Sequence, residues 1–251
     1  MLLSLIIAPL LAACMLSSVG HLLGRTGSAL IAALCHLYGS ALALLLLYET
    51  LVSELLSLSM FALWLSAKEY ALYYALIADS LSCFMLAIIQ LVLSAILIYS
   101  FAYMAQEPFS VRYYALMLLF AFSMQLLVSA EGPALLFLGW EAVGLCSYGL
   151  IAFYASRNAA SNAALKAVLS NRIGDYALFI ALLIMLSASS CSSWALFIAL
   201  APCLLSLKLS AFGSQLSVLN ALALLLVIAS LGKSAQLGLH IWLSEAMEGP
   251  T

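Results

Sequence analysis

Apolar residues dominate this chain in long runs, broken by short polar or charged punctuation. Around 20 consecutive apolar residues are needed to cross a bilayer as a helix, and the pattern predicts seven such crossings. The first covers about 2–20 and ends near Gly20, Gly24 and Arg25; the second covers about 28–48 and ends at Glu49. The third runs about 81–105, with Tyr99 and Tyr103 as interfacial aromatics near its end. The fourth covers about 112–130, and Glu131-Gly132-Pro133 then sets the head of a fifth over about 134–155. A polar stretch with Arg157, Asn158, Ser161, Asn162 and Lys166 precedes a sixth crossing over about 164–188. The seventh covers about 216–237. Two stretches fit no crossing. Residues 49–79 scatter Glu49, Glu54, Lys68, Glu69 and Asp79 among aromatics and leucines, which predicts an amphipathic segment or hairpin at a membrane face. Residues 190–210 are apolar but short, and are expected to be interfacial or loop. The fold class is therefore all-α: one polytopic transmembrane helix bundle over 1–251, without internal repeats or linkers.

Composition supports a lipid solvent. Of 251 residues, 67% are hydrophobic and 7% charged, against about a quarter charged in soluble domains. Eight Lys and Arg spread singly exclude a nucleic-acid footprint. Six cysteines, at 14, 35, 83, 146, 191 and 203, form no C-x-x-C pair and sit beside no histidine at ligand spacing, so they read as small packing residues. Residues 1–18 lack a basic front and a small-residue cleavage site, so they are expected to form a first span rather than a cleaved signal. Connections after crossings one, three and five hold Arg25, Arg112, Arg157 and Lys166. Those after two, four and six hold Lys68 and Lys208. This bias places the N-terminus on the outer face.

Four charges lie inside predicted crossings: Glu141, Arg172, Asp175 and Lys233. A charge near the bilayer centre costs about 2.5–3.5 kcal/mol on insertion scales, and such residues usually face a wet cavity or one another. On a helix, Gly144 and Tyr148 share the face of Glu141. A carboxyl group held away from water beside a cation is able to exchange a proton; the alternative is a neutral Glu that ties helices together. Ser230, Lys233, Gln236 and His240 form a polar stripe if the seventh helix continues, and such a stripe can carry a proton wire. Gly232 and Gly238 predict a break in that helix, as at the central site of many transporters. The alternative for Lys233 is an ammonium that snorkels from the end of the span. Arg172 and Asp175, three apart, suit an intrahelical ion pair as well as a place at a proton entrance. His21 and His36 read as span-end histidines without a role.

The stretch Leu138-Gly-Trp-Glu-Ala-Val-Gly-Leu-Cys-Ser-Tyr148 resembles NADH dehydrogenase subunit 5, the antiporter-like subunit of respiratory complex I. So does Ala163-Ala-Leu-Lys-Ala-Val-Leu-Ser-Asn-Arg-Ile-Gly-Asp175. Gly232-Lys-Ser-Ala-Gln, Leu239-His-Ile-Trp-Leu and Ala246-Met-Glu-Gly-Pro-Thr251 form a third matching block. A weaker likeness reaches Asp79-Ser-Leu-Ser and Tyr99 to Met104, and residues 1–78 are placed by order alone.

The resemblance implies that Glu141 pairs with Lys233, that Lys233 shuttles protons in a half-channel, and that Arg172 and Asp175 lie near the route, with Lys166 in support. It implies no cofactor in this chain, with flavin, iron–sulfur clusters and quinone elsewhere in the complex. Expected partners are other membrane-arm subunits of complex I, a second chain carrying the C-terminal part of the subunit, and membrane lipids such as cardiolipin. The expected location is the mitochondrial inner membrane, ahead of a bacterial plasma membrane. Two departures stand out. The family has prolines where this chain has Ile241 and Ser244, which predicts a softer break resting on Gly238. The family also continues beyond position 251, so a split subunit is expected rather than a truncated one. A multisubunit cation/proton antiporter and a non-pumping structural remnant are the competing readings.

Overall fold

In a computed structural model, the described residues are 1–53, 57–67, 70–189, 193–206, 208–211, 214–236 and 238–250. Glu54, Lys68, Glu69 and Cys191, singled out above, lie outside them, as do the side chains of Cys203 and Lys208. The element order is α1 (Leu2–Ser53), β1 (Ser57–Ala67), β2 (Tyr70–Ala78), α2 (Ser80–Tyr103), α3 (Ser110–Val128) and α4 (Pro133–Ile151). Then come α5 (Asn158–Ser189), α6 (Trp194–Ser206), β3 (Lys208–Ala211), β4 (Ser214–Ser217), α7 (Val218–Lys233) and the short α8 (Ile241–Glu245). Among the described residues, five helices are long and apolar enough to cross a membrane, against seven predicted crossings: α1 holds the first two in one element, and α7, at 16 residues, is shorter than a full span. The structure is a helical membrane bundle with two small two-stranded sheets, β1–β2 and β3–β4. β1 and β2 fall in the first stretch that fits no crossing and β3 at the end of the second, while β4 overlaps the predicted start of the seventh crossing; β1 and β2 are rich in Tyr, Phe and Trp, which suit extended backbone.

By contacts the chain forms two compact units, one of residues 1–59, 76–130 and 145–150, the other of 60–75, 131–144 and 151–251. In the first, α1 packs against α2 and α3. At 52 residues α1 is far too long for one crossing. Gly24 divides it, with φ 65° and ψ −171°, a conformation that side chains with a Cβ rarely adopt. Asp79 caps α2, its carboxylate accepting from the Ser82 backbone N–H while the Ser82 hydroxyl oxygen accepts from the Asp79 N–H.

Midway along the second limb of α1, the His36 ring lies fully buried, its Nδ1 2.7 Å from the Gln90 side-chain oxygen on α2. That corrects the span-end reading of His36, which falls well inside the predicted crossing of 28–48. His21 stays exposed beside Gly24.

In the second unit, α5 packs along α7, and α6 and α8 pack on α5. Helix α5 starts at Asn158, six residues before the predicted crossing, and its small residues Ala163, Ala164 and Ala167 bury against Ile151, Trp242 and Ala246. Arg172 and Asp175 are consequently mid-helix rather than near its start. Helices α5 and α7 cross at two glycines. A Cβ on Gly174 would stand 2.9 Å from the Ala229 carbonyl oxygen, and one on Gly232 would stand 3.2 Å from the Gly174 Cα. Small residues that let backbones approach are the usual basis of helix association in lipid. Gly232 is therefore a contact residue inside α7, and corrects the expectation of a helix break at that position. Replacing Gly174 with Val should force the two backbones apart and cost about 1–3 kcal/mol, read as a lower thermal midpoint in detergent.

Candidate functional site

Helix α7 ends at Lys233, and the way it ends positions that side chain. Ser234 is the C-cap, and Ala235 follows with φ 52°, in the left-handed region. The Gln236 N–H donates to the Leu231 carbonyl at 3.2 Å and the Ala235 N–H to the Gly232 carbonyl at 3.4 Å. These two bonds make a Schellman close, with alanine where glycine is the usual choice. The Gly232 carbonyl also accepts the Trp242 indole N–H, at 3.2 Å, from α8. A second tie holds α8, the 2.6 Å ion pair of Lys166 with Glu245.

The break thus begins at Ser234, three residues after the Leu231 turn, rather than at Gly238, whose φ of 95° lies further along the same non-helical stretch. This also corrects the polar stripe. Ser230 and Lys233 remain on α7, while exposed Gln236 and His240 leave its face, and the Ser230 hydroxyl bonds back to the Val227 carbonyl.

Four charges from three helices meet here, all within the second unit. Arg172 Nη1 lies 3.1 Å from each carboxylate oxygen of Glu141. Lys233 Nζ lies 4.0 Å from Asp175 Oδ1, and the Trp140 indole N–H donates to the same Oδ1 at 2.8 Å. The intrahelical Arg172–Asp175 pair and the direct Glu141–Lys233 pair are therefore both replaced: partners are exchanged across the helices.

The register explains the exchange. Glu141 and Gly144 sit one turn apart on α4, as Arg172 and Asp175 do on α5. Lys233 enters at the glycine, where a Cβ would stand 2.9 Å from its Nζ. The ammonium fills the slot that Gly144 leaves, 3.4 Å from the Trp140 carbonyl and 5.5 Å from the centre of the Trp140 ring. A cation at that distance from an indole face is attracted by the ring quadrupole. Lys233 is thus held inside the bundle rather than snorkelling from its end.

The four charges sum to zero and grade in exposure. Arg172 and Glu141 side chains are 40% and 24% exposed, Lys233 21% and Asp175 9%. Arg172 is the most exposed of the four and Asp175 the least. The arrangement holds the Lys233 ammonium beside the buried Asp175 carboxylate, in the slot one α4 turn from Glu141.

Trp140 went unassigned in the sequence, although it touches both Asp175 and Lys233. Its signal was its place beside Glu141, since a buried indole N–H needs an acceptor. Glu131, at the head of α4, was read only as punctuation. Its side chain is buried, which pushes its carboxyl pKa up, while its backbone joins the Ala75 carbonyl and the Trp194 N–H. Tyr148, expected beside Glu141, lies in the other compact unit and is 38% exposed. Among the described residues no three His, Cys, Asp or Glu side chains gather to hold a metal ion.

Comparison with known proteins agrees with these blocks. Residues 64–114 match the family model described as NADH-ubiquinone oxidoreductase (complex I), chain 5 N-terminus. Residues 130–251 match the one described as NADH:quinone oxidoreductase/Mrp antiporter, transmembrane. The chain is 35% identical over 246 residues to NADH-ubiquinone oxidoreductase chain 5 of Dictyostelium discoideum, covering 98% of this chain and 37% of that one. It is 38% identical over 188 residues to NADH-quinone oxidoreductase subunit L of Rickettsia bellii, covering 75% of this chain and 29% of that one. A chain in the structure of the Mrp complex from Dietzia sp. DQ12-45-1b shares the fold, with TM-score 0.76 and 24% identity, over 98% of this chain and 25% of that one. This chain therefore spans well under half the length of the curated relatives it matches. It belongs to the complex I chain 5 family of antiporter-like membrane subunits.

Proposed function

We propose that this chain contributes one proton half-channel to redox-driven proton translocation by a respiratory complex I, acting with the remaining length of the family fold and with neighbouring membrane-arm subunits. The observation that carries this reading is the exchanged quartet of Glu141, Arg172, Asp175 and Lys233. Protons reach the more exposed Glu141–Arg172 end. Lys233, seated between Trp140 and Asp175, relays them inward, and its ammonium swings between the two carboxylates as their charge changes. The chain holds no redox group in this reading; flavin, iron–sulfur clusters and quinone act in other subunits. A multi-pass place in the mitochondrial inner membrane is the proposed location, with a bacterial plasma membrane the alternative given the Rickettsia relative.

The second reading is a subunit of a cation/proton antiporter, favoured by the fold shared with the Dietzia Mrp complex. Co-purification separates the two. Flavin and iron–sulfur subunits accompany the chain in the first reading only. A structural remnant is the third reading, and it is opposed by the four intact charges within apolar helices, since each costs about 2.5–3.5 kcal/mol to keep near a bilayer centre.

Two outcomes are expected of the assembled complex in liposomes. Glu141→Gln and Lys233→Met should each slow coupled proton transfer at least about tenfold, the equivalent of about 1.4 kcal/mol on the barrier, with assembly largely retained; full proton transfer in both would leave a structural role only. Gly144→Ala should displace the Lys233 ammonium, because the new methyl group claims its slot. A flexible side-chain end moves easily, so the stability cost should stay near the low end of about 1–3 kcal/mol while proton transfer slows. Unchanged transfer in this variant would show that the slot does not matter.

A further inference from the structure

The first compact unit holds a cavity of about 890 Å³, remote in sequence from the charged quartet, between the first limb of α1, the α2–α3 connection and α3. Its wall is apolar where Leu16, Leu116 and Leu119 line it, and cationic where Arg25 and Arg112 do, with His21 beside them. The Gly24 bend places Arg25 at the cavity, and the guanidinium donates to the Ala105 carbonyl, which fixes one of its nitrogens and leaves its other N–H groups for a ligand. Arg112 is exposed on the first turn of α3. Glu107 also lines the cavity, so the formal charges of the two guanidiniums and one carboxylate leave a single net positive charge.

The surrounding aromatics mark the depth. Tyr99 and Tyr103 stack at 5.9 Å between ring centroids, and Tyr99 and Phe109 are about two-thirds exposed, at 67% and 66%. Exposed aromatics of this kind gather at the level of lipid headgroups. Arg25 and Arg112 lie in connections that the charge bias assigns to one face, the inner one.

We propose that this cavity binds one anionic phospholipid, its phosphodiester against Arg25 and Arg112 and an acyl chain along Leu16, Leu116 and Leu119. A phosphodiester carries one negative charge, which the single net charge of the rim matches, and a guanidinium fork suits its paired oxygens. Basic pockets between membrane helices on the inner face are the usual sites for anionic headgroups. A cavity of this size with an apolar wall calls for an acyl chain, which a free phosphate lacks.

The test uses the assembled complex in phosphatidylcholine nanodiscs, doped with a phosphatidylglycerol bearing a photoreactive acyl chain or with the equivalent phosphatidylcholine. The phosphatidylglycerol probe should label the peptides around Leu16 and Leu116–Leu119 about fivefold more strongly per arginine engaged. Arg112→Gln, at an exposed position where folding is not at stake, should remove about one such factor, and Arg25→Gln with Arg112→Gln should bring labelling down to the phosphatidylcholine level. Equal labelling by the two probes, no response to Arg112→Gln, or no labelling because a neighbouring protein segment fills the cavity would each overturn the proposal. Labelling abolished by millimolar inorganic phosphate would assign the cations to a free anion and overturn it as well.

Discussion

Four formal charges stand where the surrounding side chains offer almost nothing polar, and the architecture of the second unit follows from that. An isolated charge in lipid costs about 2.5–3.5 kcal/mol, so a lone Lys233 or Asp175 would be expelled or neutralised. Two ion pairs crossed between α4, α5 and α7 offset this cost. The crossing works only if the backbones come close. Gly174 and Gly232 let α5 and α7 touch, and Gly144 makes room for the ammonium. Trp140 supplies the rest: its indole N–H fixes Asp175, and its carbonyl and ring face receive Lys233.

The end of α7 is part of the same device. A helix that continued past Lys233 would keep its last carbonyls paired within itself. Here the left-handed Ala235 turns the chain away, and the Gly232 carbonyl takes a second donor from Trp242. Lys233 thereby sits on the final turn of a broken helix, anchored by α8, which the exposed Lys166–Glu245 pair holds to α5. A side chain at such a point has a rigid base, which the proposed relay needs.

The helical class and the long apolar helices were legible because the apolar runs match bilayer thickness and the breaks are chemically plain: Arg25 after Gly24, Asp79 before Ser82, Pro133 after Gly132. The four charges within the helices were legible because nothing else explains charged residues in apolar runs. Their pairing was not legible. Spacing shows that Arg172 and Asp175 share a face, but which helix faces them, and in what register, depends on glycine contacts that no local pattern reveals. The end of α7 was misplaced for a related reason: the left-handed position is occupied by alanine, while Gly238 drew the expectation downstream. His36 was passed over although it falls mid-span, because its partner Gln90 lies 54 positions away.

Thermal-stability double-mutant cycles in the assembled complex test the exchanged pairing most directly. Lys233→Met would be combined with Asp175→Asn in one cycle and with Glu141→Gln in the other, and Arg172→Gln with Glu141→Gln in a third. The account predicts coupling of about 0.5–3 kcal/mol for Lys233–Asp175 and for Arg172–Glu141, the range for residues in contact, and a smaller value for Lys233–Glu141. Stronger coupling of Lys233 to Glu141 than to Asp175 would contradict it.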